Sequence, residues 1–187
     1  MNQIYFTSDL HFGHSNILKH SPKRPYSDTV DIAAHDEWLL DLWRSTVDKR
    51  DTIYILGDLT FLKSDDARHP LEKYPGHKFL IEGNHDGSVR AYKHYFQEVY
   101  QIKEMRFRPT VAPFLKEDLG VVMCHYPMVT WNQKPRGSRC STVIVMGNSM
   151  TTTPSRPTSV SMSASMAPSP TSVSSPSKIF TMLPPRR

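Results

Sequence analysis

Phe79-Leu80-Ile81-Glu82-Gly83-Asn84-His85-Asp86 runs from an apolar, strand-like triplet into a polar turn with no helix signal between them. The glycine lets the backbone bend sharply. A carboxamide, an imidazole and a carboxylate set together at a strand end are costly to bury unless something binds there. Asn, Asp and Gly are also ordinary turn formers, so these residues alone leave a plain turn and a binding site equally open. The other His/Asp clusters have to decide.

The same grammar recurs along the chain. Ile4-Tyr5-Phe6-Thr7 is a short β-branched and aromatic run that ends at Ser8-Asp9-Leu10-His11, and the loop beyond it carries His14 and Asn16. Thr52-Ile53-Tyr54-Ile55-Leu56 stops at Gly57-Asp58, and Gly120-Val121-Val122-Met123-Cys124 stops at His125-Tyr126-Pro127. Between Thr29 and Val47, Ile32, Leu39, Leu42, Trp43 and Val47 recur at roughly helical spacing with Asp31, Asp36, Glu37 and Asp41 among them, which predicts an amphipathic helix over a sheet. Ser64 to Tyr74 reads as a weaker helix and Ser88 to Phe96 as a short one. Glu98 to Phe107 reads as a strand or hairpin, and Pro109 to Glu117 as a loop. Alternating strands and helices predict an α/β layered domain whose polar loops gather at one edge of the sheet.

A chain of 187 residues suffices for one domain with a tail. No apolar run approaches bilayer length, and the N-terminal segment reaches Asp9 without the basic flank of a signal peptide, so a soluble, cytoplasmic protein without a membrane partner is expected. Cys124 and Cys140 form no zinc or disulfide spacing, which agrees with a reducing compartment.

The net charge of +5 does not point to nucleic acid. No acid follows Asp118, whereas Lys134, Arg136, Arg139, Arg156, Lys178, Arg186 and Arg187 all follow His125. The first 125 residues therefore carry 16 basic residues against 18 acids. From Arg139 the composition changes abruptly: twenty of the 27 residues from Thr151 to Ser177 are Ser, Thr or Pro, which no packed core can use. The expected division is a domain over 1–138 and a disordered tail over 139–187. Oligomeric state leaves no mark in the sequence.

Asp9, His11, Asp58, Asn84, His85 and His125 all fall directly after expected strands. Hard oxygen and imidazole donors without thiolates suit manganese, iron, zinc or magnesium. A carboxylate such as Asp58 can bridge two ions, and two ions roughly 3.5–4 Å apart can activate a hydroxide and clamp a phosphoryl oxygen. Taken singly, each signal is more often a hydrogen-bonded turn or a buried histidine than a site. Their joint order is far more specific. Asp9-x-His11, Gly57-Asp58, Gly83-Asn84-His85-Asp86 and Cys124-His125-Tyr126-Pro127 resemble the first four motifs of the calcineurin-like metallophosphoesterases, over about residues 3–138.

Asp9-Leu-His-Phe-Gly-His14-Ser-Asn16-Ile and Arg24-Pro25-Tyr26 resemble a group of small predicted phosphoesterases within that superfamily. The resemblance implies a layered β-sandwich with flanking helices and two divalent ions, manganese first, with iron, zinc or magnesium as alternatives. Asp9 and His11 would bind one ion, Asp58 would bridge, and Asn84 and His125 would bind the other. His85 would act at the leaving oxygen of a phosphate mono- or diester. His14, Asn16 and Arg24 would be candidate substrate contacts.

The family's fifth motif, Gly-His-x-His, is absent, and His125 is the last histidine in the chain. The genetic code suggests why. When the last base of each codon is joined to the first two of the next, Ser141-Thr142-Val143-Ile144-Val145-Met146-Gly147 permits His-Gly-His-(Cys, Ser or Arg)-His-Gly, with the final glycine forced. The expectation is a frame-shifted product that departs from its family between about Gly137 and Cys140, with weakened metal binding and little turnover. The alternatives are a catalytically inactive product, or a non-enzymatic protein whose basic tail is an interaction segment.

Overall fold

The computed structural model describes residues 3–63, 71–87, 89–110, 116–142 and 180–181. Strands β1 (Ile4–Thr7), β2 (Thr52–Ile55), β3 (His77–Ile81) and β4 (Glu98–Tyr100) form a parallel set, and β8 (Phe180–Thr181) closes the edge antiparallel to β1, in the order β4-β3-β2-β1-β8. A second sheet, β5-β6-β7, joins β5 (Ile102–Phe107) antiparallel to β6 (Leu119–Cys124) and β6 parallel to β7 (Arg139–Thr142). The helices described end to end are α1 (Ser15–His20), α2 (Ile32–Thr46) and α3 (Val89–Tyr92), the last followed by a 3₁₀ turn over Lys93–Tyr95, and residues 71–73 are helical as well. The chain is thus a mixed α/β protein, as its alternating pattern predicts.

Alternation along the strands separates two apolar clusters. Tyr5, Ile53, Ile55 and Leu80 face a cluster with Leu39, Leu40, Trp43 and Val47 of the α2 region, and with Leu71, Tyr74, Val89, Tyr92 and Phe96. Phe6, Tyr54, Leu56 and Ile81 turn the other way, onto Phe107, Val121 and Met123 of the second sheet. Helix α2 starts where Asp31 caps it, its carboxylate accepting from Ala34 N at 3.0 Å. Its inward face buries Leu39, Leu40 and Trp43, each worth about 1.5–3 kcal/mol. Trp43 Nε1 also donates to Pro75 O at 2.9 Å.

Three local expectations change. Glu98 to Phe107 is neither one strand nor a hairpin: it is β4, paired with β3, followed after Gln101 by β5, paired with β6. The loop after Asp9 contains the short helix α1, so Asn16 is helical and exposed. The domain boundary drawn at residue 138 falls just before β7, so residues 139–142 extend the second sheet, and β8 lies in the first. Most of the helix expected over Ser64–Tyr74, part of the Pro109–Glu117 loop and the disorder expected over Thr151–Ser177 lie outside the described residues. Among the described residues no helix is long and apolar enough to cross a membrane.

Candidate metal centre

The segments that follow β1 and β2 run side by side. Asp9 N donates to Gly57 O, His11 N to Asp58 O and Phe12 N to Leu59 O, all at 3.0 Å, so the backbones stay zipped beyond the strands. Asp9, His11 and Asp58 all have left-handed backbones, with φ of 54°, 56° and 53°. Such conformations cost an L-residue on the order of 1–3 kcal/mol each and persist where the surroundings impose them. Here they fall on three of the expected metal ligands. A Cβ at Gly83 would strike the Asp58 carboxylate, and one at Gly57 would strike the His125 ring, so the glycines admit the close approach of these loops.

Asp86 ties the β2 and β3 loops together. Its Oδ2 accepts from Asp58 N (2.9 Å) and Gly83 N (2.8 Å), and its Oδ1 from Leu59 N (3.0 Å). Burial raises the Asp86 carboxyl above the ordinary carboxylate range. The three backbone donors oppose that rise, and the Asp58 charge adds to it. Both oxygens are committed to the backbone, so Asp86 fixes the site's shape without facing its interior. The tetrapeptide motif carried this residue in plain view, but nothing in the sequence shows where its oxygens turn.

Asp58 is the centre of the arrangement and is buried. Its Oδ2 lies 3.8 Å from His11 Nε2 and 3.9 Å from His85 Nε2, and its Oδ1 lies 3.6 Å from His125 Nε2. Asp9 Oδ1 is 3.8 Å from the same His11 nitrogen. These separations exceed hydrogen-bond length. They match the roughly 3–4 Å between donors that each sit about 2.0–2.2 Å from one ion. One ligating atom from each of Asp9, His11 and Asp58 falls within 4.8 Å of the others.

On the other side of Asp58 the arrangement turns on a tautomer. His125 Nδ1 lies 2.8 Å from Leu56 O, which only accepts, so Nδ1 carries a proton, and in the neutral ring Nε2 presents a lone pair. That lone pair faces Asn84 Oδ1 at 3.1 Å and Asp58 Oδ1 at 3.6 Å. Three acceptors converge with no donor among them, an arrangement that a cation relieves. His85, with a side chain 40% exposed, stands at the open side, and its backbone N donates to Asp58 Oδ1 at 3.0 Å.

The expected substrate contacts separate. Arg24 is turned inward: Nη2 donates to Asp9 O at 2.6 Å, and Nη1 reaches Leu10 O and His35 Nε2, both at 3.4 Å. It braces the strained Asp9 loop, and burial pulls its guanidinium below the usual arginine range while Asp9 and Asp36 oppose that pull. Asp36 joins the same brace from α2, accepting from Gly13 N at 2.8 Å and lying 3.3 Å from His35 Nδ1. The sequence pattern shows Asp36 only as a helix-surface acid, and it gives no sign of His35. His14 sits at the site, its ring stacked on Phe61 at 3.7 Å and its Nδ1 3.3 Å from His11 Nδ1. Burial lowers the His14 pKa first, and His11, His85, His20 and Arg24 lower it further.

No family model matches the chain. It is 34% identical over 145 residues to the gene 66 protein of Mycobacterium phage L5, covering 69% of this chain and 65% of that protein. It is 39% identical over 88 residues to an uncharacterized protein of Methanocaldococcus jannaschii, covering 46% and 48% respectively. The gene 66 protein of Mycobacterium phage D29 is 38% identical over 96 residues, which is 50% of this chain and 45% of that one. The chain therefore spans between 45% and 65% of the length of these relatives. A solved structure, a protein of unknown function from Aquifex aeolicus, superposes with a TM-score of 0.51 at 26% identity, covering 73% of this chain and 68% of that one. The likeness thus reaches phage, archaeal and bacterial proteins and extends to the fold.

Proposed function

We propose that the chain is built as a calcineurin-like metallophosphoesterase domain, a β-sandwich flanked by helices, directed at a phosphate mono- or diester and served by two divalent ions, manganese first. One observation carries this reading: the two oxygens of Asp58 face two different donor sets, Oδ2 toward His11 and Oδ1 toward His125, whose Nε2 also meets Asn84 Oδ1. Asp9, His11 and Asp58 would hold one ion, and Asp58, Asn84 and His125 the other. Bound there, the ions would supply Lewis-acid activation of water and neutralise phosphoryl charge. His85, on the exposed side of Asp58, would donate a proton to the leaving oxygen, a role worth about 10²–10⁴-fold. Arg24 and Asp86 hold the ligand loops in shape.

The proposal includes impairment. β7 runs parallel to β6 with Thr142 level with Cys124, so the chain leaves β7 at the same sheet edge from which His125 emerges. The stretch whose codons permit His-Gly-His-x-His starts at Ser141-Thr142, which supports the view that two histidines belong at that edge in the unshifted frame. Without them each ion lacks one ligand, so this chain should bind metal weakly and turn over slowly.

The test is hydrolysis of p-nitrophenyl phosphate and bis-p-nitrophenyl phosphate with added Mn²⁺, comparing this chain with a frame-corrected one. Expected is a chelator-sensitive activity that is low here and restored by correction. Equal activity and full two-metal occupancy in both would refute the impairment. No metal-dependent hydrolysis in the corrected form would refute the function.

A further inference from the structure

His14 has a place in the site but no role in the chemistry above, and its geometry assigns one. His11 turns Nε2 toward Asp9 Oδ1 and Asp58 Oδ2, both at 3.8 Å, and turns Nδ1 toward His14 Nδ1 at 3.3 Å. An ion held by the two carboxylates would therefore meet His11 through Nε2. A neutral imidazole that offers its Nε2 lone pair carries its proton on Nδ1. That proton needs an acceptor, and the ring nitrogen facing it is His14 Nδ1.

We infer that His14 is a positioning residue of the first metal half-site: its Nδ1 accepts the His11 Nδ1 proton and so holds His11 in the tautomer and ring orientation that present Nε2 to the ion. The inference rests on the metal reading of Asp9, His11 and Asp58. It gives His11 the counterpart of what Leu56 O gives His125, an acceptor for Nδ1 that frees Nε2. The two half-sites then use different acceptors for one task, a backbone carbonyl on one side and an imidazole on the other. Ligating histidines commonly need such a partner, whose loss typically weakens metal affinity about 10–100-fold.

The local structure keeps His14 in place by other means, so its acceptor role is separable from folding. The turn is closed by His14 N donating to His11 O at 3.1 Å, and Ile17 N donates back to His14 O at 3.0 Å. Asp36 holds Gly13 N, and the His14 ring lies flat on Phe61 with 19° between the planes. An aromatic replacement keeps the stack without the acceptor. Asparagine keeps an acceptor oxygen at about the place of Nδ1 without the stack.

The experiment measures Mn²⁺ binding to the full chain by calorimetry and by the electron paramagnetic resonance signal of free Mn²⁺, at pH 8, where free imidazole is neutral. The variants are His14→Phe, His14→Asn and Asp9→Asn, each with its unfolding midpoint taken in chelator. Expected is an affinity about 10–100-fold lower in His14→Phe, retained within about 3-fold in His14→Asn, and lost in Asp9→Asn, with chelator midpoints of both His14 variants near the parent's. Loss in Asp9→Asn together with undiminished binding in His14→Phe would overturn the inference and leave the metal site standing. Equal losses in His14→Phe and His14→Asn would also overturn it, in favour of the stack on Phe61. Parent-like binding in Asp9→Asn, or no Mn²⁺ binding by the parent, would overturn the metal reading and the inference with it.

Discussion

The two ends of the parallel sheet both bury charged groups, and they do so in opposite ways. At the end where β2 and β3 begin, Asp51 is fully buried, yet each carboxylate oxygen has a donor: Oδ1 takes Gln3 N at 2.7 Å and Oδ2 takes Asp48 N at 2.8 Å. Lys78 likewise reaches Tyr74 O at 2.7 Å. At the other end Asp58 Oδ1 accepts from His85 N at 3.0 Å, but three histidine ring nitrogens stand 3.6–3.9 Å from the carboxylate, and His125 Nε2 faces two acceptor oxygens. Burial of charge does not distinguish a site from a girder. The distinguishing mark is whether the buried atoms satisfy one another or wait for something between them.

The sharpest way to break this contrast is Asp58→Asn. It keeps the shape and one acceptor for His85 N, but it removes the charge that the two proposed half-sites would share. Mn²⁺ binding and turnover should fall to the limit of detection, while the unfolding midpoint in chelator stays level or rises as an unrelieved charge is lost. A midpoint that drops steeply, with Mn²⁺ binding intact, would make Asp58 a girder like Asp51.

His85→Ala divides the open end further. Its ring touches the site from the solvent side and is not one of the expected ligands, so Mn²⁺ affinity should stay within about 3-fold while turnover falls by about 10²–10⁴. Parallel loss of binding and turnover would make His85 a ligand and remove the acid from the scheme.

Asp51→Ala tests the opposite end. It leaves Gln3 N and Asp48 N without their acceptor in a buried place, at a cost of about 1–3 kcal/mol for each. Urea unfolding should show a loss on the order of 2–5 kcal/mol, and Mn²⁺ affinity of the folded fraction should not move. The pair of variants thus exchanges its effects: one end loses metal and keeps stability, the other loses stability and keeps metal.

The sequence made the exit end of the sheet legible because strand and chemistry share a boundary there. Ile4–Thr7, Thr52–Leu56, Phe79–Ile81 and Gly120–Cys124 are apolar to their last residues and then turn polar, and the parallel pairing of β1, β2 and β3 brings three of those turns to one edge. What stayed hidden depends on where long side chains turn. Arg24 reads as a candidate substrate contact, yet it spends its guanidinium on the carbonyls of Asp9 and Leu10. His35 lies fully buried on α2, where the helical pattern counts only apolar neighbours. The break at Gln101 is hidden for another reason. Alternation runs through it, and only pairing with β3 on one side and β6 on the other separates β4 from β5. His14 shows both limits: its position beside His11 follows from the local turn, but its stack on Phe61 joins residues 47 positions apart in the chain.

Lys78 gives the smallest effect and the finest test of the girder end. Burial pulls its ammonium below the ordinary lysine range, so in the window between that lowered value and about 10.5 the unfolded chain binds more protons than the folded one. Stability attributable to Lys78 must then rise with pH across that window, the sign expected when folding disfavours the charged form. Below the window the charged amine is a burden only partly offset by its bond to Tyr74 O. Lys78→Met removes the burden and the bond together, so the net change at pH 8 should stay within about 1 kcal/mol. The informative quantity is the difference between parent and variant in urea unfolding at pH 8 and pH 10: the variant should lack part of the parent's alkaline gain. Identical slopes would mean that the ammonium is as well solvated folded as unfolded. A large loss at pH 8 would mean that the bond to Tyr74 holds this end together as firmly as Asp51 does, and that charge can be a girder as well as a carboxylate can.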